Sequence, residues 1–291
     1  MFSRSSWLHL RIPFSVFLLP IFLFALSVSD NLTGERVFWS FFIIHFLLYP
    51  ASNGYNSYFD KDTKSIGGLK HPPPVKRGLY SLALLLDSAA IVVGYLKINT
   101  SFAAMLLVYG LVSKAYSHPA IRLKKYAWTS WIVTGLFQGL FTFMMSYVGV
   151  NDYTFNQSLS PNVVIPGLLT SLMLWANYPL TQVYQHEEDR LRGDITLSIR
   201  LGIPGTFYFA ASCFTVAIGG FLFYLKYVYA ERYAWYFLLA LIPVLAYFIY
   251  WFALSLKDRT AANHTRTMRF NYLSGFLLNG YFLFLFLESR A

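Results

Sequence analysis

Nine apolar runs, each close to the length that crosses a bilayer, constrain this chain more than any other feature. They lie at about 12–29, 37–58, 80–97, 100–118, 127–149, 163–185, 205–226, 233–256 and 270–288, and about 20 apolar residues span the hydrocarbon core as a helix. The third and fourth nearly merge, broken only by Lys97, Asn99 and Thr100. Charge is scarce between them: 12% of the 291 residues are charged, about half the share of an average soluble domain. Too little polar surface remains to solvate a protein of this size, which excludes a soluble enzyme. The expected fold is an all-α integral membrane protein with about nine transmembrane helices. No Gly/Ser linker or low-complexity tract interrupts the runs, so residues 1–291 read as one transmembrane domain.

The net charge of +10 does not point to nucleic acid, because the basic residues are dispersed between apolar runs rather than gathered on one face. Their distribution instead orients the chain. With the N-terminus in the cytoplasm, only Arg36, Lys97, Lys226, Arg232 and Arg290 fall outside, and the other 18 of 23 basic residues fall inside. That is the bias expected of cytoplasmic loops. The first run has some features of a cleaved signal peptide, but the alternation is regular only with it retained. Cys213 is the single cysteine, which rules out an internal disulfide and a Cys-type zinc site. His45 and His71 show no metal-ligand spacing. Asp87, inside the third run, either lines a cavity or hydrogen-bonds a neighbouring helix while protonated.

Two helix ends on the cytoplasmic side resemble each other. YPASNGYNSYFD (49–60) and YPLTQVYQHEED (178–189) match at Tyr49/Tyr178, Pro50/Pro179, Tyr55/Tyr184 and Asp60/Asp189, with Ser52, Asn53 and Asn56 facing Thr181, Gln182 and Gln185. The offset corresponds to four helices and both copies end on one side. This predicts a parallel repeat with halves at about 12–118 and 127–256, each of four helices, plus a ninth helix. Sites form between such halves. Tyr49, Asn53, Asn56 and Asp60 lie at i, i+4, i+7 and i+11, one stripe of a helix. Tyr178, Gln182, Gln185 and Asp189 are expected to form a second. Polar stripes cannot face lipid cheaply, and amide glue between helices explains one such residue better than two matched stripes ending in acids.

The residues that carry these stripes bear a family resemblance. NSYFDKDTKSIGGLKHPPP (56–74) resembles the first aspartate-rich motif of the UbiA-type intramembrane prenyltransferases, and QHEEDRLRGDITLSIRLG (185–202) resembles the second. Asn56 and Asp60 match in the first; Asp189, Gly193, Thr196, Leu197 and Arg200-Leu201-Gly202 match in the second. SKAYSHPAIRLKK (113–125) is similar to the family's loop between helices four and five. The chain departs from the pattern at Ser57, Lys64, His71 and Gln185, which leaves each motif one family aspartate. Asp62 and Glu188 are nearby acids able to restore charge. Glu188 shares the Gln185 face, and Asp62 reaches the site only if the helix ends beside it.

The resemblance implies a membrane enzyme that transfers a prenyl group from a prenyl diphosphate to a lipophilic acceptor, an aromatic one included. It implies Mg²⁺ against the diphosphate, with Asp60 and Asp189 as the catalytic pair and Asn56, Asp62 and Glu188 as further candidate metal ligands. Mg²⁺ suits one or two carboxylates together with phosphate oxygens. Candidate substrate contacts are Asn53, Asn56, Lys64, His71, Tyr116, Gln182, Gln185 and Arg190. Lys64, at i+8 from Asn56, would meet the diphosphate where a metal usually intervenes. Lys61, Lys70, Arg122, Lys124, Lys125 and Arg192 are further clamps unless topology alone explains them. Tyr55, Tyr116 and Tyr184 are the aromatic rings nearest the motifs. Two other readings are a non-catalytic protein binding an isoprenoid or lipid phosphate, and a small-molecule transporter. A transporter site belongs near the midplane, whereas these acids sit at helix ends.

Overall fold

The computed structural model describes residues 2–290, and among them no β-strand forms. The chain enters through α1 (Arg4–His9), a 3-10 turn (Ile12–Phe17) and α2 (Leu19–Ser27). Next, α3 (Gly34–Phe42) and α4 (Tyr49–Asp60) are joined by a π segment at Ile43–Leu48. Pro50 explains that segment. It has no N–H to return to the preceding turn, so the ladder widens just ahead of it.

There follow α5 (Gly78–Lys97) and α6 (Thr100–Ser117), separated by Asn99, whose side-chain oxygen accepts from Phe102 N–H at 2.8 Å. This N-cap lets two long helices turn back on each other within two residues. Then come α7 (Ala127–Gly135), α8 (Thr142–Asn151), α9 (Pro161–Asn177) and the short α10 (His186–Leu191). Three long helices finish the chain: α11 (Leu197–Tyr224), α12 (Glu231–Lys257) and α13 (His264–Glu288). In α11 the helix breaks at Gly202 (φ 68°, ψ 171°), a conformation that favours glycine, so its first turn is set apart from the long apolar span.

Among the described residues, six helical stretches are by length and apolarity able to cross a membrane, at 78–97, 127–151, 161–181, 197–229, 231–257 and 264–288. The entering pair Arg4–Phe17 and Leu19–Ser27, bent by 43°, supplies a seventh if it is one span. This is fewer than the nine expected. The runs at 37–58 and 100–118 are helical, but polar residues lower their apolarity: the first carries Asn53 and Asn56, and α6 carries Lys114. With these helices the chain is an integral membrane protein. Asp87 on α5 does not line the cavity described below; it pairs with Lys114 of α6, beside the bare Cα of Gly110.

Aromatic rings fill the centre, where Phe24 stacks on Phe282 at 4.7 Å and touches Phe143 and Phe221. One close helix contact is made by small residues, the usual device where lipid removes the hydrophobic drive. A Cβ on Gly139 would meet backbone atoms of Ser171 at 2.6 Å, and Leu140 N–H donates to Ser171 Oγ at 2.8 Å. The loops 61–77, 118–126 and 182–196 gather at one end. The entering segment straps the first of them: Ser5 Oγ donates to Pro74 O at 2.6 Å, His9 Nε2 lies 2.7 Å from Pro73 O, and Arg11 donates to Gly67 O at 3.3 Å.

Gly139→Ala is expected to lower stability by about 1–3 kcal/mol through overpacking against backbone. Gly280→Ala, which meets nothing within 4 Å, is the control. Thermal unfolding in detergent checks this, and equal melting temperatures for the two variants would contradict it.

Candidate active site

The α4 stripe points into a cavity of about 300 Å³, which Tyr49, Asn53, Asn56 and Asp60 all line. Tyr178, Gln182, Gln185 and Asp189 line the same cavity from the opposite side. They do not form a continuous helical stripe as expected. After α9 the chain tightens into a 3-10 turn at Tyr178–Thr181, turns again, and restarts as α10. Pro179, like Pro50, removes a helix donor, but here the helix stops instead of widening. Gln182 then accepts from Ser198 N–H at 3.2 Å, which ties the break to α11.

α4 ends at Asp60, and Lys61 adopts the left-handed conformation (φ 51°). That turn meets the condition for Asp62, whose side chain lines the cavity beside Asp60. Arg11 (φ 48°) and Arg122 (φ 46°) are also left-handed. Such a conformation costs an L-residue about 1–2 kcal/mol, and all three lie around this site.

A connected set of ion pairs closes the polar end. Lys124 pairs with Asp60, and Arg122 lies 3.6 Å from the same carboxylate. Arg122 grips Asp194 with two bonds of 2.7 and 2.9 Å. Arg192 donates to Asp189 at 2.8 Å, pairs with Asp62, and comes within 3.5 Å of Asp194. The Asp194 side chain is only 1% exposed. Four carboxylates therefore share this end with Lys124, Arg122 and Arg192. Arg11 adds a fourth cation. Its guanidinium lines the cavity and donates only to the carbonyls of Gly67 and Asn53, at 3.3 and 3.4 Å.

Burial pushes Asp62 up to about 6, reinforced by the neighbouring Asp60 and opposed by Arg192. Asp189 also rises to about 6, chiefly through burial. Both acids are thus largely neutral at pH 5 and ionised at pH 7. Burial works against the charge of Arg192, but Asp62, Asp60 and Asp189 outweigh it and hold the guanidinium protonated. Glu188 goes the other way. Burial would raise it, but N–H groups of Lys64 and Thr63 and the Thr63 hydroxyl bring it below the usual range.

Of the residues singled out from sequence, the cavity brings together Asn53, Asn56, Asp60, Asp62, Tyr116, Gln182, Gln185 and Asp189, with Tyr184 and Lys124. Glu188 does not line it. One of its oxygens accepts from Thr63 N–H (2.8 Å), Thr63 Oγ1 (2.9 Å) and Lys64 N–H (2.9 Å), so it anchors the first loop. Lys64 points away and pairs with Glu187 at the surface. His71 and Arg190 are exposed outside the cavity, and Tyr55 packs on Phe59 and Tyr80. Arg11 and Asp194 are the site residues that sequence reasoning missed. By sequence Arg11 is one more basic residue flanking an apolar run, and nothing in the spacing marks Asp194.

Whether Mg²⁺ fits is decided by the donor set. Asp60, Asp62 and Asp189 present hard carboxylate oxygens to one cavity, as Mg²⁺ prefers. Yet among the described residues no three acid, His or Cys side chains cluster closely enough to hold a metal ion alone. The residues fit an ion held jointly with phosphate oxygens.

The model of the UbiA prenyltransferase family matches residues 17–277. The chain belongs to this family. Its members are prenyltransferases. No curated protein sequence matches it. Among solved structures, a UbiA homolog from Archaeoglobus fulgidus bound to GPP and Mg²⁺ matches at 15% identity and TM-score 0.64, over 97% of this chain and 99% of that one. The same homolog bound to DMAPP and Mg²⁺ matches at 14% identity and TM-score 0.64, with the same coverage. A digeranylgeranylglyceryl phosphate synthase matches at 20% identity and TM-score 0.60, over 98% of both chains. At these identities the likeness is one of fold.

Two outcomes follow from the ion pairs. Asp194→Asn strips the half-buried Arg122 of its bidentate, buried partner, so stability should fall by about 3 kcal/mol. Unfolding in detergent measures it, and an unchanged melting temperature would count against the network. Infrared difference titration of wild type against Asp62→Asn and Asp189→Asn should show the lost carboxyl bands titrating near pH 6. Midpoints near 4 would show these acids to be solvated.

Proposed function

We propose that this protein is a membrane prenyltransferase. It takes the prenyl group of a prenyl diphosphate and passes it to a lipophilic acceptor. The observation that carries this reading is one cavity with two characters. Asp60, Asp62, Asp189, Lys124, Arg192 and Arg11 line its polar end, while Phe14, Leu18, Val112, Val133, Phe137 and Leu174 give it an apolar wall. A diphosphate suits the first and an isoprenoid chain the second.

Asp60, Asp62 and Asp189 are the residues that would hold Mg²⁺ with the diphosphate, and the bound ion would neutralise charge on the leaving group. Lys124, Arg192 and Arg11 add fixed donors to the same oxygens. The allylic C1–O bond breaks with its electron pair leaving on the diphosphate. An acceptor atom then supplies a pair to C1, and its proton passes to the released diphosphate. Tyr116, whose hydroxyl bonds that of Tyr178, and Tyr184 line the cavity, and their aromatic rings would favour an allylic cation there. The two motif-bearing segments belong to the two expected repeat halves, and the basic end of the molecule is the cytoplasmic one.

The non-catalytic reading keeps one point in its favour, since Asp60, Asp62, Asp189 and Asp194 each already face a protein cation. Pyrophosphate release separates the two. Purified protein in lipid should release pyrophosphate from a prenyl diphosphate only with Mg²⁺, and Asp60→Asn and Asp189→Asn should each cut the rate by about a hundredfold or more, as for loss of a charge-stabilising group. Wild-type rates in both variants would remove these acids from the chemistry. Donor binding without turnover across an acceptor panel would establish the binder.

A further inference from the structure

We infer that Arg192 takes the place of one divalent cation in this site. The inference rests on the diphosphate reading above and concerns how the charge there is met. Arg192 follows α10, where the chain turns at Gly193 (φ 76°). From there its guanidinium reaches both motif-bearing segments at once: Asp62 from the first, and Asp189 at 2.8 Å from the second. Its Nε faces Asp194 at 3.5 Å without completing a hydrogen bond. One group therefore joins two acid-bearing segments and keeps a donor in reserve.

A bridging cation between facing carboxylates is ordinarily the work of a metal ion. Here the acid supply for a second ion is poor. Ser57, Lys64 and Gln185 occupy the acidic positions that the resemblance leads one to expect, Lys64 is turned to Glu187, and among the described residues no three acid, His or Cys side chains come close enough to hold a metal ion alone. A guanidinium suits the vacated role because it stays charged when buried. Its planar fork bonds carboxylate and phosphate alike. A single charge is less than a divalent ion supplies, but Lys124 and Arg11 line the same end and make up the difference. Arg192 thus holds Asp62 and Asp189 together before donor arrives, then offers its N–H groups to the diphosphate, so that binding requires fewer Mg²⁺ ions.

Calorimetry of inorganic pyrophosphate with the purified full chain in detergent tests this, in EDTA and in Mg²⁺. Wild type should bind in EDTA within about tenfold of its affinity in Mg²⁺. Arg192→Met should lose about tenfold or more in EDTA, and Arg192→Lys should recover part of that. Melting temperature gives a second readout without phosphate. Mg²⁺ alone should raise the melting temperature of Arg192→Met, whose Asp62 and Asp189 have lost their bridge, and leave wild type nearly unmoved. Wild-type binding that requires Mg²⁺ would overturn the inference, as would an Arg192→Met protein that matches wild type in both measurements. If Arg192→Met does not fold, wild type and Arg192→Lys decide. Absence of pyrophosphate binding under every condition would overturn the diphosphate reading itself, whereas pyrophosphate binding in EDTA with no turnover of a prenyl diphosphate even in Mg²⁺ would leave the inference standing and refute the transferase reading.

Discussion

A charge in an apolar molecule must have a partner, and the rest of this structure follows from how that demand is met. Asp60, Asp62, Asp189 and Asp194 are all nearly inaccessible at the side chain, and each meets at least one of Lys124, Arg122 and Arg192. Desolvating such ions costs several kcal/mol apiece, which only close and multiple pairing offsets. The pairs cross between loops that are far apart in sequence, so the network also fixes the ends of α4, α10 and the loop before α7. Asp87 and Lys114 obey the same rule within the helices.

The two motif-bearing segments show how one sequence pattern yields different local structures. Both begin Tyr-Pro and end in Asp. After Pro50 the helix widens and continues, so Tyr49, Asn53, Asn56 and Asp60 remain a stripe. After Pro179 it stops in a 3-10 turn, and Gln182 just beyond that turn is held by Ser198. The four residues of the second copy still reach the cavity, by way of turns. Periodicity foresaw which residues converge but not the backbone that brings them there.

Much of the fold and part of the site were legible in the residues. Apolar length marked the long helices but not the short polar α1 and α10, and polar residues in 37–58 and Lys114 in α6 take two of the runs below the apolarity of a self-evident span. The acids at the repeat ends were legible because charge is rare between greasy runs. Lys64 and Glu188 were not, since their orientation depends on a loop geometry that only three-dimensional contacts settle: Glu188 receives the backbone of 63–64, and Lys64 is thereby turned outward. Asp194 and Arg11 escaped for a related reason. Each acquires meaning only through a partner or cavity distant in the chain.

The central claim is that Asp60 and Asp189 meet a divalent ion only in company with a diphosphate. Electron-nuclear double resonance with Mn²⁺ in place of Mg²⁺, with and without a non-hydrolysable prenyl thiolodiphosphate, tests it most directly. The account predicts bound Mn²⁺ coupled to ³¹P when the analogue is present, little bound ion without it, and loss of the coupling in Asp60→Asn and Asp189→Asn. Tight Mn²⁺ binding without the analogue, or ³¹P coupling that survives both substitutions, would contradict it.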